Sequence, residues 1–191
     1  MNAASVGLYW LPLGAGGHSV RINGKVYEAV AAGVAHRPRL DLYHSALQVQ
    51  VGGDRYVVEQ GPVPRGDGAS QRGVVAEGPV GSRMAARLRI FRYEVRVWRG
   101  GEIPDVAEAV DSPLHLTENE GLAQRVLEVA GDVPSLVWGR DEMATGEMWN
   151  SNSVIAWVVT RSGLDARPIH PPAGGRAPGW NAGLAVAERS S

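Results

Sequence analysis

Trp149-Asn150-Ser151-Asn152-Ser153-Val154-Ile155-Ala156-Trp157 is the stretch whose reading decides the fold. Four small polar residues run straight into a segment that is apolar on nearly every side. That is the pattern of a buried helix whose N-terminus opens into a polar pocket. The spacing predicts a central helix over roughly 150–162, closed by Gly163, a residue suited to the left-handed position after a helix. The first amides of a helix lack internal partners and carry the positive end of its dipole. A nucleophile placed there gains stabilisation for its anion and an amide for an oxyanion. Ser151 is therefore either a nucleophile or a cap, because Ser and Asn are also the preferred N-caps.

Outward from that helix, the clearest partner is a hairpin. Leu42–Val51 alternates over its second half, Gly52-Gly53 is a turn signal, and Arg55–Gln60 runs back before Gly61-Pro62. Residues 5–13 read as a first strand closed by the glycine-rich turn 14–17. Val20-Arg21-Ile22 follows that turn where a phosphate loop needs a helix. Val26, Ala29, Val30 and Val34 have helical spacing, stopped by Pro38. Residues 64–73 read as loop, and the strings 57–63 and 74–80 echo each other as a repeated strand-to-turn solution. Leu88–Trp98 reads as one long alternating strand with a bulge between Ile90 and Tyr93. A short helix is expected over 103–110, entered at Pro104-Asp105. Thr117-Glu118-Asn119-Glu120 matches a capping box, with Leu122, Val126, Leu127 and Val129 as the apolar stripe behind it. Residues 137–147 form a polar loop, and residues 164–191 hold four of the twelve prolines. The expectation is one α+β domain over 1–163, with an antiparallel sheet packed on the central helix. An extended or partly disordered tail over 164–191 follows, pinned by Trp180.

The 191 residues are 44% hydrophobic with a net charge of −1, enough for a real core and without the electrostatic footprint of a nucleic-acid binder. The absence of cysteine excludes disulfides, thiolate metal sites and cysteine nucleophiles. None of the five histidines shows metal-ligand spacing, and no cofactor is implied. Met1–Ser5 lacks a charged and then apolar leader pattern, and no apolar run reaches the roughly 18–20 residues of a membrane span. These features predict a cytoplasmic protein.

His44 is the candidate base, although a histidine in a half-buried strand is often held structurally by one hydrogen bond. With a two-residue turn, position 51 pairs with 54, and Glu59 shares the face of His44 on the diagonal, able to orient its imidazole. With a three-residue turn the parity flips and Gln60 takes that face. Trp149, next to the polar cluster, is the tryptophan expected to touch a ligand. Arg140, Asp141, Glu142 and Glu147 precede the helix, where carboxylates suit its dipole and substrate recognition is a second option.

Tyr43-His44-Ser45-Ala46 on an early strand, a hairpin, and then Asn150-Ser151-Asn152-Ser153 at a later helix start form an order that resembles the circularly permuted papain-like group. That group includes permuted NlpC-type hydrolases, lecithin–retinol acyltransferase-like proteins and PPPDE peptidases. Its members carry a catalytic histidine on an early strand, a polar orienting residue on the neighbouring strand, and a cysteine nucleophile at a later helix start. The likeness covers about residues 40–62 and 147–163, and Ser151 stands where the group has cysteine. A cysteine beside histidine forms a thiolate, whereas a serine needs a base acting during attack. The resemblance implies a hydrolase or acyltransferase acting on an amide or ester of a peptide or small molecule through acyl-Ser151. His44 would be the general base, fixed by Glu59 or Gln60, and the Ser151 amide with Asn150 or Asn152 would hold the oxyanion. Its alternative is a non-catalytic descendant that binds a peptide or small molecule in the same cleft.

Overall fold

The computed structural model describes residues 4–13, 40–63 and 73–189. The helix expected near 24–35, the turn at 14–17 and most of the 64–73 loop lie outside the described residues. Strand β1 (Ser5–Pro12) lies antiparallel to β2 (Asp41–Val51), which turns at Gly52-Gly53 into β3 (Asp54–Pro62). Both turn glycines have positive φ, 59° and 87°, so the backbone twist of the turn matches that of the strands. Val51 pairs with Asp54, which fixes the two-residue register. β4 (Val74–Pro79), β5 (Arg92–Arg99) and β6 (Val110–Thr117) complete an antiparallel sheet in the order β4-β5-β3-β2-β1-β6. The short β7 (Gly175–Arg176) pairs in parallel with the start of β2. The echoed strings become β3 and β4, the two neighbours of β5, with Pro62 and Gly78 both opposite Tyr93. A Cβ on Gly78 would fall 2.2 Å from Cζ of Tyr93, so the ring packs where only glycine leaves room.

Helices α1 (Glu120–Val129), α2 (Ser151–Arg161) and α3 (Trp180–Arg189) cover one face of the sheet. Strand alternation sends Val6, Leu8 and Trp10 of β1, Tyr43, Leu47 and Val49 of β2, and Tyr93 and Val95 of β5 into that core. Leu11, Ala46 and Val57 point the other way and meet Ile103 in a smaller cluster. The predicted central helix is present, buried from Asn152 to Val159.

Several expectations are corrected. The 88–98 strand begins only at Arg92, because 85–87 and 89–91 are two 3-10 turns whose apolar residues face solvent. The helix expected over 103–110 is a single 3-10 turn, Val106–Glu108, entered through Asp105 at φ 56°. α1 is capped by Asn119, whose Oδ1 accepts from the Leu122 amide at 3.0 Å, while the Thr117 hydroxyl accepts from the Asn119 amide. β6 lies in a stretch where no strand was expected from the sequence; it is an edge strand beside β1, where the ladder donor that Pro113 lacks is tolerated. The stretch 164–189 folds back onto the body and is not an extended tail. Trp180 stacks 5.2 Å from Trp10, and its indole donates to the Ala166 carbonyl. A Cβ on Gly183 would sit 2.2 Å from the Ser153 carbonyl, so α3 lies with its backbone against α2. The prolines of 168–178 punctuate the connection, and Ala182, Val186 and Ala187 supply the helical apolar spacing behind it. Among the described residues no helix is long and apolar enough to cross a membrane.

Candidate functional site at the start of α2

The pairing of β2 with β3 ends at Leu47 opposite Val58, and Glu59–Pro62 pair with β5 alone. The two strands therefore part, and the start of α2 occupies the opening. Backbone carbonyls alternate sides along a strand. Leu42 O accepts from Leu13 N on the β1 side, so Tyr43 O points to the side β3 has left. Asn152 Nδ2 donates to it at 2.9 Å, in place of the missing strand. Ser45 donates its hydroxyl to Asn152 Oδ1 at 2.9 Å. Asn152 also donates to Pro178 O at 3.0 Å, and so ties β2, α2 and the loop before α3 together.

Asn150 is the cap. Its Oδ1 accepts from the amides of Asn152 and Ser153 at 2.9 and 3.3 Å, and its own amide donates to the Ser153 hydroxyl at 3.0 Å. Its Nδ2 donates to Pro178 O at 2.8 Å, and the Ser153 hydroxyl donates to Gly179 O at 2.7 Å. The side-chain donors of Asn150 and Asn152, expected at an oxyanion, are thus spent on carbonyls of the fold itself. Ser151 differs from its neighbours. It is the first helical residue and partly exposed, and among the described residues neither its amide nor its hydroxyl has a partner.

Gln60 adds a second open group. It lies on the helix side of β3, opposite Val95, and the β2–β3 register continued by two residues sets it across the opening from Ser45. It is 9% exposed, and neither Oε1 nor Nε2 has a partner among the described residues. Buried amides are nearly always satisfied, so an orphaned one marks a place for a ligand or an ordered water. Trp149, expected to contact a ligand, is instead packed in the core at 2% exposure. Backbone bonds from Gly139 N to Trp149 O and from Trp149 N to Arg140 O, at 2.8 and 2.9 Å, fasten this residue to the 138–140 segment.

His44 pairs with Leu11 and so leaves β2 on the side opposite Ser45. No hydrogen bond joins it to Ser151 or Glu59. Burial lowers its pKa to about 4, with Asp105 opposing that shift, and it is neutral at pH 7. Glu59 does share the face of His44, as the two-residue turn requires, but its carboxylate accepts from Arg96 Nη1 at 2.9 Å. Arg96 Nε donates to Glu94 at 2.5 Å and Nη2 to Pro62 O at 3.1 Å. Burial raises the Glu59 pKa, Arg96 lowers it, and Glu94 raises it again. Glu59 is fixed by arginine rather than by histidine.

An unfolded histidine takes its proton near pH 6.5, whereas folded His44 resists to about 4. The unfolded chain therefore binds more protons between these values, and His44 costs stability as pH falls through that window. Urea midpoints measured from pH 7 to 4.5 are expected to fall less steeply in His44→Gln than in the parent. Equal slopes would contradict the burial.

The remaining candidates serve the local fold. Asp141 accepts from the amides of Thr145 and Gly146, both at 2.8 Å. Glu142 pairs with Arg83 at 3.0 Å and accepts from the Val137 amide. Glu147 accepts from Gly179 N at 2.8 Å and from Asn181, next to the start of α3. Arg140 donates to Gly81 O at 2.7 Å. Among the described residues no group of three His, Asp or Glu side chains could hold a metal ion. Ser45 is the contact that sequence reasoning missed; a small polar residue at a core-facing position of β2 was its signal.

Fold and site together define an α+β protein with an antiparallel sheet packed on a central helix, whose start opens between two parting strands. The chain matches no protein-family model, no curated protein and no solved structure.

Proposed function

We propose that this protein is a binding module that takes the carboxylate or amide carbonyl of a peptide or small molecule at the start of α2, without covalent chemistry. The observation that carries this reading is that Ser151 alone in the polar cluster keeps its amide and hydroxyl unspent, at the positive end of a buried helix. The orphaned Gln60 amide across the opening supports it. The lack of any hydrogen bond from His44 to Ser151, and the capture of Glu59 by Arg96, argue against an oriented base. N-acetylglycine carries both an amide and a carboxylate and suits a titration followed by amide NMR. Shifts at the Ser151 amide and the Gln60 side chain, abolished in Ser151→Pro, are the expected result. An unperturbed spectrum at millimolar ligand would defeat the reading.

A second reading keeps acyl chemistry, in which Ser151 Oγ attacks an ester or amide while His44 takes its proton. The specific observation in its favour is the opening itself, because no β2–β3 ladder closes the sheet beside His44. Burial keeps His44 neutral at pH 7, the protonation state a base requires, and among the described residues no hydrogen bond claims its imidazole. A fluorophosphonate adduct on the Ser151 peptide that disappears in His44→Ala would establish this reading and displace the binding-only one.

A further inference from the structure

The hydrogen-bonding groups left open at the start of α2 are not all of one kind. The Ser151 amide donates, its hydroxyl donates or accepts, and the Gln60 side chain does both, through Nε2 and Oε1. Gln60 follows Val58 on the helix side of β3, and α2 packs against both β2 and β3. The register that sets Gln60 across from Ser45 turns it toward the start of α2, because the Ser45 hydroxyl donates to Asn152 Oδ1 at 2.9 Å. At 9% exposure Gln60 is nine-tenths buried, and neither end of its amide has a partner among the described residues. Whichever way that amide is turned, one end needs an acceptor and the other a donor.

A carboxylate supplies acceptors only. It would satisfy Ser151 and Nε2 and leave the buried Oε1 without a donor. It would also bring a charge with no cation to meet it: among the described residues no arginine or histidine bonds to Asn150, Ser151, Asn152, Ser153 or Gln60. The charged side chain bonded beside the cluster is itself a carboxylate. Glu147 accepts from Gly179 N at 2.8 Å, and Gly179 O in turn accepts from the Ser153 hydroxyl at 2.7 Å. A secondary amide supplies both kinds of group without charge. Its carbonyl accepts from the Ser151 amide and hydroxyl, its N–H donates to Gln60 Oε1, and the next carbonyl along a peptide accepts from Nε2. The carbonyl and N–H of a planar trans amide point in opposite directions, so one peptide bond reaches both walls of the opening. We infer that the site takes an internal peptide bond in preference to a terminal carboxylate, with Ser151 on the carbonyl and Gln60 on the N–H. This rests on the binding reading of Ser151 and narrows its ligand to the peptide backbone.

The test titrates the full chain, followed by amide NMR, with N-methylacetamide, which is a peptide bond and nothing else, and with acetate. N-methylacetamide is expected to bind at least about tenfold more tightly, with shifts at the Ser151 amide and the Gln60 side chain. Gln60→Met keeps the length of the side chain without its polar atoms, and should erase most of that preference while the Ser151 amide still shifts. Equal or tighter binding of acetate overturns the inference and leaves the Ser151 site standing, with a carboxylate as its ligand. Shifts from neither compound overturn both. An undiminished preference in Gln60→Met also overturns the inference, because ordered water would then be the partner of Gln60. If Gln60→Met loses the native spectrum, the comparison of the two ligands in the parent decides by itself.

Discussion

Replacing Arg96 with methionine is expected to lower the free energy of unfolding by about 3–5 kcal/mol, read from the urea midpoint. Arg96 bridges Glu59 on β3 and Glu94 on its own strand, and both carboxylates are buried, Glu94 completely. Methionine keeps much of the stem but none of the charge. Glu59 then faces an interior where burial already favours its protonated form, with Glu94 still adding repulsion. The origin of the loss can be checked separately. Glu59→Gln/Arg96→Met should recover part of it, because it removes the carboxylate that the single change strands. A double variant as unstable as the single one would assign the effect to lost packing.

Asn152→Ala is expected to cost about 2–5 kcal/mol, the penalty for leaving the Tyr43 carbonyl and the Ser45 hydroxyl buried without partners. The Pro178 carbonyl keeps the Asn150 amide and adds little. Ser45→Ala/Asn152→Ala should be less unstable than additivity predicts, since it removes one of the two stranded groups. A cost below about 1 kcal/mol in Asn152→Ala would mean that the opening between β2 and β3 is held by packing alone.

Both predictions concern residues whose face was legible in the sequence and whose partners were not. Gly52-Gly53 was readable because two small residues at a hairpin tip demand positive φ, and the register that follows put Glu59 on the face of His44. That Glu59 is spent on Arg96 depended on β5 lying beside β3, a pairing between segments 37 residues apart that periodicity does not report. β6 carries Pro113 and shows burial without clean alternation, so its strand character comes from pairing with β1 at the sheet edge rather than from local pattern. The expected strand start at 88–91 is instead a 3-10 turn, because alternation scores the same for residues facing solvent as for residues facing a sheet. The helix at 180–189 was hidden behind prolines that end one segment without forbidding the next.

Local sequence by itself determined the buried helix after Trp149, the hairpin at Gly52-Gly53 and the α+β character, because each rests on spacing within a few residues. Only the tertiary structure decided what the Asn150-Ser151-Asn152-Ser153 cluster does. Its side chains were equivalent as cap candidates. The carbonyls and hydroxyls that claim them come from Ser45, 107 residues from Asn152, and from Pro178, 28 residues from Asn150. A helix start satisfies its polar groups with whatever the fold brings within hydrogen-bond reach, and here the described residues supply partners to all of the cluster but Ser151.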